Sequence, residues 1–157
     1  MSSSTPSVAR IRYAHTNLIA NDWRRLQEFY VQVLGCQPVG TERDNGGPAF
    51  EALTGFVGGR VKGRHLQLPG HGPQGPTLEI FEYSRNDPTL PPSLFRPGFA
   101  HIAFEVPDVD AKRKEIAQWG GREMGELVTI DIPGAGRLTL IYMTDPEGNI
   151  VELQRWH

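Results

Sequence analysis

Four residues of this 157-residue sequence combine chemistry with a regular placement: His15, Glu79, His101 and Glu152. Two ionised carboxylates beside two neutral imidazoles would neutralise one divalent cation. The set offers nitrogen and oxygen donors but no thiolate, which argues against a closed structural zinc site. An octahedral Ni²⁺, Co²⁺, Mn²⁺, Fe²⁺ or Zn²⁺ held by all four would keep two positions for water or for two substrate oxygens. Such an ion polarises a carbonyl, and a neighbouring carboxylate can then move the proton on the adjacent carbon.

The elements that must position these residues follow from a repeat. The segments His15-Thr-Asn-Leu-Ile-Ala-Asn-Asp22 and His101-Ile-Ala-Phe-Glu-Val-Pro-Asp108 each begin with histidine, alternate for a strand's length and reach aspartate seven positions on. Each aspartate is a good helix N-cap. After Asp22, the residues Trp23, Leu26, Phe29, Tyr30, Val33 and Leu34 form an apolar stripe at helical spacing, and Gly35 suits the stop. After Asp108, Val109, Ile116 and Trp119 make the stripe and Gly120-Gly121 close it. Strand patterns follow at 39–43, 64–68 and 77–83, and again at 124–130, 137–144 and 149–154. The turn signature Asp145-Pro-Glu-Gly148 joins the last two. A Gly-rich stretch over 55–63 reads as a long loop beside the pocket.

The order βαβββ thus occurs twice, and the fold expected is α+β. Two such modules would pair into a curved, half-open, eight-stranded mixed sheet with both helices on its outer face. A Ser- and Pro-rich tail over 1–9 reads as disordered. Residues 10–83 form the first module, 84–98 a Pro-rich linker and 99–157 the second module.

Alternation assigns the faces. Ile102, Phe104 and Val106 belong under the helix, which leaves His101, Ala103 and Glu105 on the cavity side. By the same rule His15 and Asn17, then Glu79 and Phe81, then Glu152 face the cavity. A carboxylate between apolar neighbours on a strand is costly unless paired, hydrogen-bonded or bound to metal. Asn17, Phe81 and Ala103 stand one strand repeat from candidate ligands, or beside them, and His65 lies in a nearby strand. These four are candidate pocket residues.

Composition excludes more than it names. A formal charge of −2 gives no footprint for nucleic acid or an anionic membrane. Apolar runs are strand-sized, too short to span a bilayer. The single Cys36 cannot form an internal disulfide and, with no signal-peptide pattern, favours a cytoplasmic setting. It also lacks an evident activating partner for nucleophilic chemistry. Gly70-His-Gly72-Pro-Gln-Gly75 fits a dinucleotide-loop spacing, but Pro76 and a strand follow instead of a helix. Tyr142 reads as a core aromatic, and His71 and His157 carry no assigned role.

Taken in order, the pieces resemble the vicinal-oxygen-chelate (glyoxalase-like) superfamily from about residue 11 to 156. They are His15…Asp22…Phe29-Tyr30…Leu34-Gly35; Leu78-Glu79-Ile80-Phe81-Glu82-Tyr83; Gly98-Phe99-Ala100-His101; and Asp145-Pro-Glu-Gly-Asn-Ile-Val-Glu152-Leu153. The resemblance implies metal ligands at His15, Glu79, His101 and Glu152, a set similar to that of bacterial glyoxalase I. It further implies Glu152 as the main proton-transfer base with Glu79 as its counterpart. Ile19 and Tyr83 stand where that enzyme carries an Arg and an Asn that help hold glutathione, so the resemblance leaves the use of glutathione open.

The expected function is therefore a divalent-metal-dependent lyase or isomerase of glyoxalase or epimerase type, acting on a small molecule chelated by two oxygens. The alternatives are a metal-free antibiotic-binding module of the same fold and an Fe²⁺ dioxygenase, for which a fourth ligand would crowd the ion. A symmetric homodimer is the default expectation, with the modules pairing within one chain or across two.

Overall fold

The computed structural model describes residues 11–157; the tail expected over 1–9 lies outside the described residues. The chain runs β1 (His15–Ile19), α1 (Trp23–Gln32), β2 (Gln37–Gly46), α2 (Pro48–Thr54), β3 (Arg60–Gln67) and β4 (Thr77–Tyr83). It continues through β5 (His101–Glu105), α3 (Val109–Gln118), β6 (Arg122–Glu123), β7 (Val128–Ile132), β8 (Gly136–Thr144) and β9 (Ile150–Trp156). Both helix starts are capped as the aspartates predict. Asp22 accepts the Arg25 N–H and Asp108 accepts the Ala111 N–H.

The strands form two sheets, ordered β1-β4-β3-β2 and β5-β9-β8-β6, with β7 also on β8. One eight-stranded sheet was the expectation. Instead β1 and β5 are edge strands of separate sheets, and a groove runs between them. Each half pairs its first strand parallel to its last, β1 with β4 and β5 with β9. The connections within β2-β3-β4 and β8-β9 are antiparallel.

One continuous apolar core joins residues of both halves. Leu26, Phe29 and Tyr30 of α1 meet Leu66, Leu78 and Ile80 from the first sheet. Ile116 of α3 meets Ile141, Met143, Val151 and Leu153 from the second. Each helix packs on one face of its own sheet, α1 on β3 and β4 and α3 on β8 and β9, so the opposite face of each sheet is left to the site.

Three local differences have physical reasons. The loop expected over 55–63 is only a turn, because β3 begins at Arg60 and carries Gly63 as a strand residue paired with Phe81. The short helix α2 escapes a periodicity search since none of its residues is buried. Its signs are Pro48 in the first turn and Gly55 at φ +69 after it. In place of one strand over 124–130 there are two, β6 just before that range and β7 from Val128 on, which pair with opposite ends of β8.

The two halves are tied by polar contacts from the 145–149 turn. Glu147 accepts the backbone N–H groups of Asn21 and Asp22, at 2.6 and 2.7 Å, at the start of α1. Asp145, 1 % exposed, takes four hydrogen bonds. They come from the Tyr30 hydroxyl (3.0 Å), the Glu147 and Asn149 N–H groups (both 2.9 Å) and the Asn149 amide (2.7 Å). Removing the acceptor strands all four donors. Asp145→Ala is expected to lower the unfolding free energy by roughly 3–5 kcal/mol, and Tyr30→Phe by about 1 kcal/mol. Urea denaturation of both variants checks this, and an Asp145→Ala loss below that of Tyr30→Phe would sink it.

Candidate functional site

The two halves build their histidine–glutamate pairs in the same way. On β1 and β4, Asn17 is level with Glu79, and His15 lies one same-face position back. On β5 and β9, Ala103 is level with Glu152, and His101 lies one same-face position back. Parallel partners share a face and side chains alternate, so each histidine is carried toward the carboxylate of the neighbouring strand. The apolar flanks Leu78, Ile80, Val151 and Leu153 are 0 % exposed and hold each glutamate outward from the core.

The contacts are direct. His15 Nε2 stands 3.7 Å from Glu79 Oε1, and His101 Nε2 stands 3.1 Å from Glu152 Oε2. Asn17 donates to Glu79 Oε1 at 2.9 Å. Among the described residues, neither glutamate pairs with a lysine or arginine; their ionic partners are histidines. The pairs are partly shielded, with Glu79 and Glu152 side chains 12 % and 11 % exposed.

A bound ion imposes its own spacing on its ligands. Two donors at roughly 2.1 Å on adjacent octahedral positions lie roughly 3.0 Å apart, and on tetrahedral ones roughly 3.4 Å. The His101–Glu152 pair fits the octahedral figure. The His15–Glu79 pair is slightly wider than the tetrahedral one. The donor chemistry of each pair would suit a borderline divalent cation, to which each pair could offer two neighbouring donors.

The four residues do not converge within one chain. Among the described residues, no three His, Cys, Asp or Glu side chains are placed to hold one ion. His15 and His101 instead line opposite sides of a groove of about 890 Å³ between β1 and β5. Asn17 and, from the connecting segment, Leu90, Arg96 and Phe99 complete its walls. Neither Glu79 nor Glu152 lines this groove, so it is a different space from the one between each histidine and its glutamate.

The remaining pocket candidates are distributed as follows. Ala103 is exposed beside Glu152, and Phe81 lies edge-on to His65 at 6.4 Å between ring centroids. His65 contacts Glu79 itself, Nε2 to Oε2, at 2.6 Å. Burial lowers the His65 pKa, and the opposing charge of Glu79 only partly offsets this.

One neighbour of the pairs differs from its sequence reading as a core aromatic. Tyr142 is level with Glu152 across the β8-β9 hairpin and stacks edge-on to His101 at 5.1 Å. Burial, then the Glu152 charge and hydrogen bond, raise its pKa. Counting back from the 145–148 turn would have placed it there, because an antiparallel hairpin fixes which residues stand opposite. Cys36 is buried, and burial pushes its thiol up to about 12, which disfavours the thiolate that nucleophilic chemistry needs.

Residues 12–153 match the family model described as "Glyoxalase/Bleomycin resistance protein/Dioxygenase superfamily". No curated protein matches the chain. Among solved structures, it is similar to a glyoxalase family protein from Bacillus cereus, with 16% identity, a TM-score of 0.80 and coverage of 98% of this chain and 99% of that one. A glyoxylase/bleomycin resistance protein/dioxygenase domain from Frankia sp. EAN1pec shares 18% identity, with a TM-score of 0.60 and coverage of 96% and 100%. The fosfomycin resistance protein FosX from Listeria monocytogenes, complexed with Mn(II) and sulfate, shares 18% identity. Its TM-score is 0.56, with coverage of 96% and 94%.

Proposed function

We propose that this chain, which belongs to the glyoxalase/bleomycin resistance protein/dioxygenase superfamily, is a divalent-metal-dependent lyase or isomerase of glyoxalase type. Its substrate is a small molecule that offers two adjacent oxygens. The observation that carries this reading is the repeated histidine–glutamate pair, built in the same register in both halves and free of lysine or arginine. A bound ion supplies a Lewis acid that polarises a carbonyl and acidifies the carbon beside it.

In this reading His15 and His101 would hold the ion, with Glu79 and Glu152 as its other protein ligands. Glu152 moves the proton. It meets His101 and Tyr142 and, among the described residues, has no amide donor like the one Asn17 gives Glu79, so it is the freer of the two carboxylates. Because one chain does not gather the set, we place the complete site between two copies. His15 and Glu79 of one protomer would face His101 and Glu152 of the partner subunit, in a symmetric dimer with two equivalent sites.

A metal-free, ligand-sequestering module is the second reading, and one observation favours it. Each carboxylate has a close histidine partner of its own, His65 at 2.6 Å from Glu79 and His101 at 3.1 Å from Glu152, which can satisfy it in a site built only to bind a small molecule.

Metal content separates the two. Protein purified without chelator or affinity tag, then reloaded with Ni²⁺, Co²⁺, Mn²⁺, Fe²⁺ or Zn²⁺, is expected to hold about one equivalent per chain by mass spectrometry. Glu152→Gln and His101→Ala are each expected to weaken binding at least ~100-fold. A wild type that takes up none of the five ions would transfer the reading to the sequestering module.

A further inference from the structure

The first half of the candidate site carries a hydrogen-bonded chain that the second half lacks. His65 on β3 is level with Glu79 on β4. Its Nε2 lies 2.6 Å from Glu79 Oε2, and its Nδ1 lies 2.9 Å from the Thr77 hydroxyl. A carboxylate only accepts, so Nε2 carries the proton, and in the neutral ring Nδ1 accepts from Thr77. The other carboxylate oxygen, Oε1, is held by the Asn17 amide and faces His15. Both edges of the Glu79 carboxylate are thus tied down.

We propose that His65, oriented by Thr77, is a positioning residue that fixes the Glu79 carboxylate so that Oε1 is presented beside His15. This rests on the metal-site reading above and deepens it. His65 is not a third ligand, because its Nε2 is engaged with Oε2. The 2.6 Å between them is also shorter than the roughly 3.0 Å between adjacent ligands of one ion. In the second half Tyr142 takes the place of His65 and Ile150 that of Thr77. A phenol with an apolar side chain in place of the Thr77 hydroxyl leaves Glu152 less constrained, so the two carboxylates are not equivalent.

The test compares three variants loaded with Co²⁺, whose visible spectrum reports ligand geometry. His65→Leu removes the donor, His65→Gln restores an N–H near the Nε2 position, and Thr77→Val removes the support. His65→Leu is expected to weaken Co²⁺ binding by about 10–100-fold and to shift the spectrum. Thr77→Val should move both in the same direction by less, and His65→Gln should recover most of the loss. The metal-free proteins should all melt within about 3 °C of wild type. Wild-type affinity and spectrum in His65→Leu would overturn the proposal. So would equal losses in the Leu and Gln variants, which would mark His65 as packing alone.

A metal-free arm keeps the two readings apart. In chelator-treated wild type, ¹⁵N NMR of the imidazoles is expected to show a hydrogen-bonded His65 Nε2–H that moves in Glu79→Gln. A wild type that binds no Co²⁺ removes the metalloenzyme reading, and the NMR result then decides His65 by itself. An Nε2 without a proton, or one indifferent to Glu79→Gln, overturns the proposal in either case.

Discussion

Gly63→Ala is expected to lower stability by about 3 kcal/mol or more and to dismantle one half of the site with it. A Cβ at Gly63 would stand 2.0 Å from the Ile80 carbonyl oxygen and 2.5 Å from the Phe81 ring. The first of these is backbone of the neighbouring strand and cannot swing aside. The residue also sits at φ +156, outside the comfortable range of an L side chain. The direct relief is for β3 to move away from β4. His65 follows Gly63 by two positions and Glu79 precedes Phe81 by two, so the same movement pulls apart the 2.6 Å His65–Glu79 contact. Gly72, in the β3-β4 connection, serves as the control, since a Cβ there would meet nothing within 4 Å. Gly72→Ala should change stability by less than about 1 kcal/mol. Urea denaturation of the two variants decides the matter. A Gly63→Ala protein as stable as wild type would mean that the two strands are not packed this closely.

What the sequence disclosed, and what it hid, divides along the range of the interactions. Helix starts are local, because an aspartate needs only the N–H three residues on, and both Asp22 and Asp108 supply that bond. Strand faces are local too. Leu78 and Ile80 flanking Glu79, or Val151 and Leu153 flanking Glu152, say which way each carboxylate points before any neighbour is known. Gly63 reads as loop because glycine is a strand breaker by propensity. Here the close approach of β4 overrides propensity and demands glycine. The tie from His65 to Glu79 needs the β3-β4 register, which depends on how the loop over 68–76 closes and is not written in alternation. Whether the two sheets join is the longest-range question of all. It turns on two edge strands, β1 and β5, whose own residues give no sign of the groove between them.

The same question, carried to two chains, yields the prediction with the largest functional contrast. Consider one variant with the first pair removed, His15→Ala with Glu79→Gln, and another with the second pair removed, His101→Ala with Glu152→Gln. Each alone is expected to bind no metal, whichever way the site is assembled. Their mixture, after reversible dissociation and reassociation, distinguishes the arrangements. If each site joins the first pair of one protomer to the second pair of the partner subunit, a mixed dimer has one doubly broken site and one intact site. Random reassociation makes about half of the dimers mixed, so about a quarter of the wild-type metal capacity returns. If the site closes within one chain, every chain in the mixture is defective and nothing returns. The separation of the two pairs among the described residues of a single chain favours the first outcome. Mass spectrometry of the mixed sample, read beside each unmixed variant, measures it directly. A mixture as empty as its components, from protein shown to exchange subunits, would return the site to the single chain. The groove between β1 and β5 would then have to close to bring His15 and His101 to one ion.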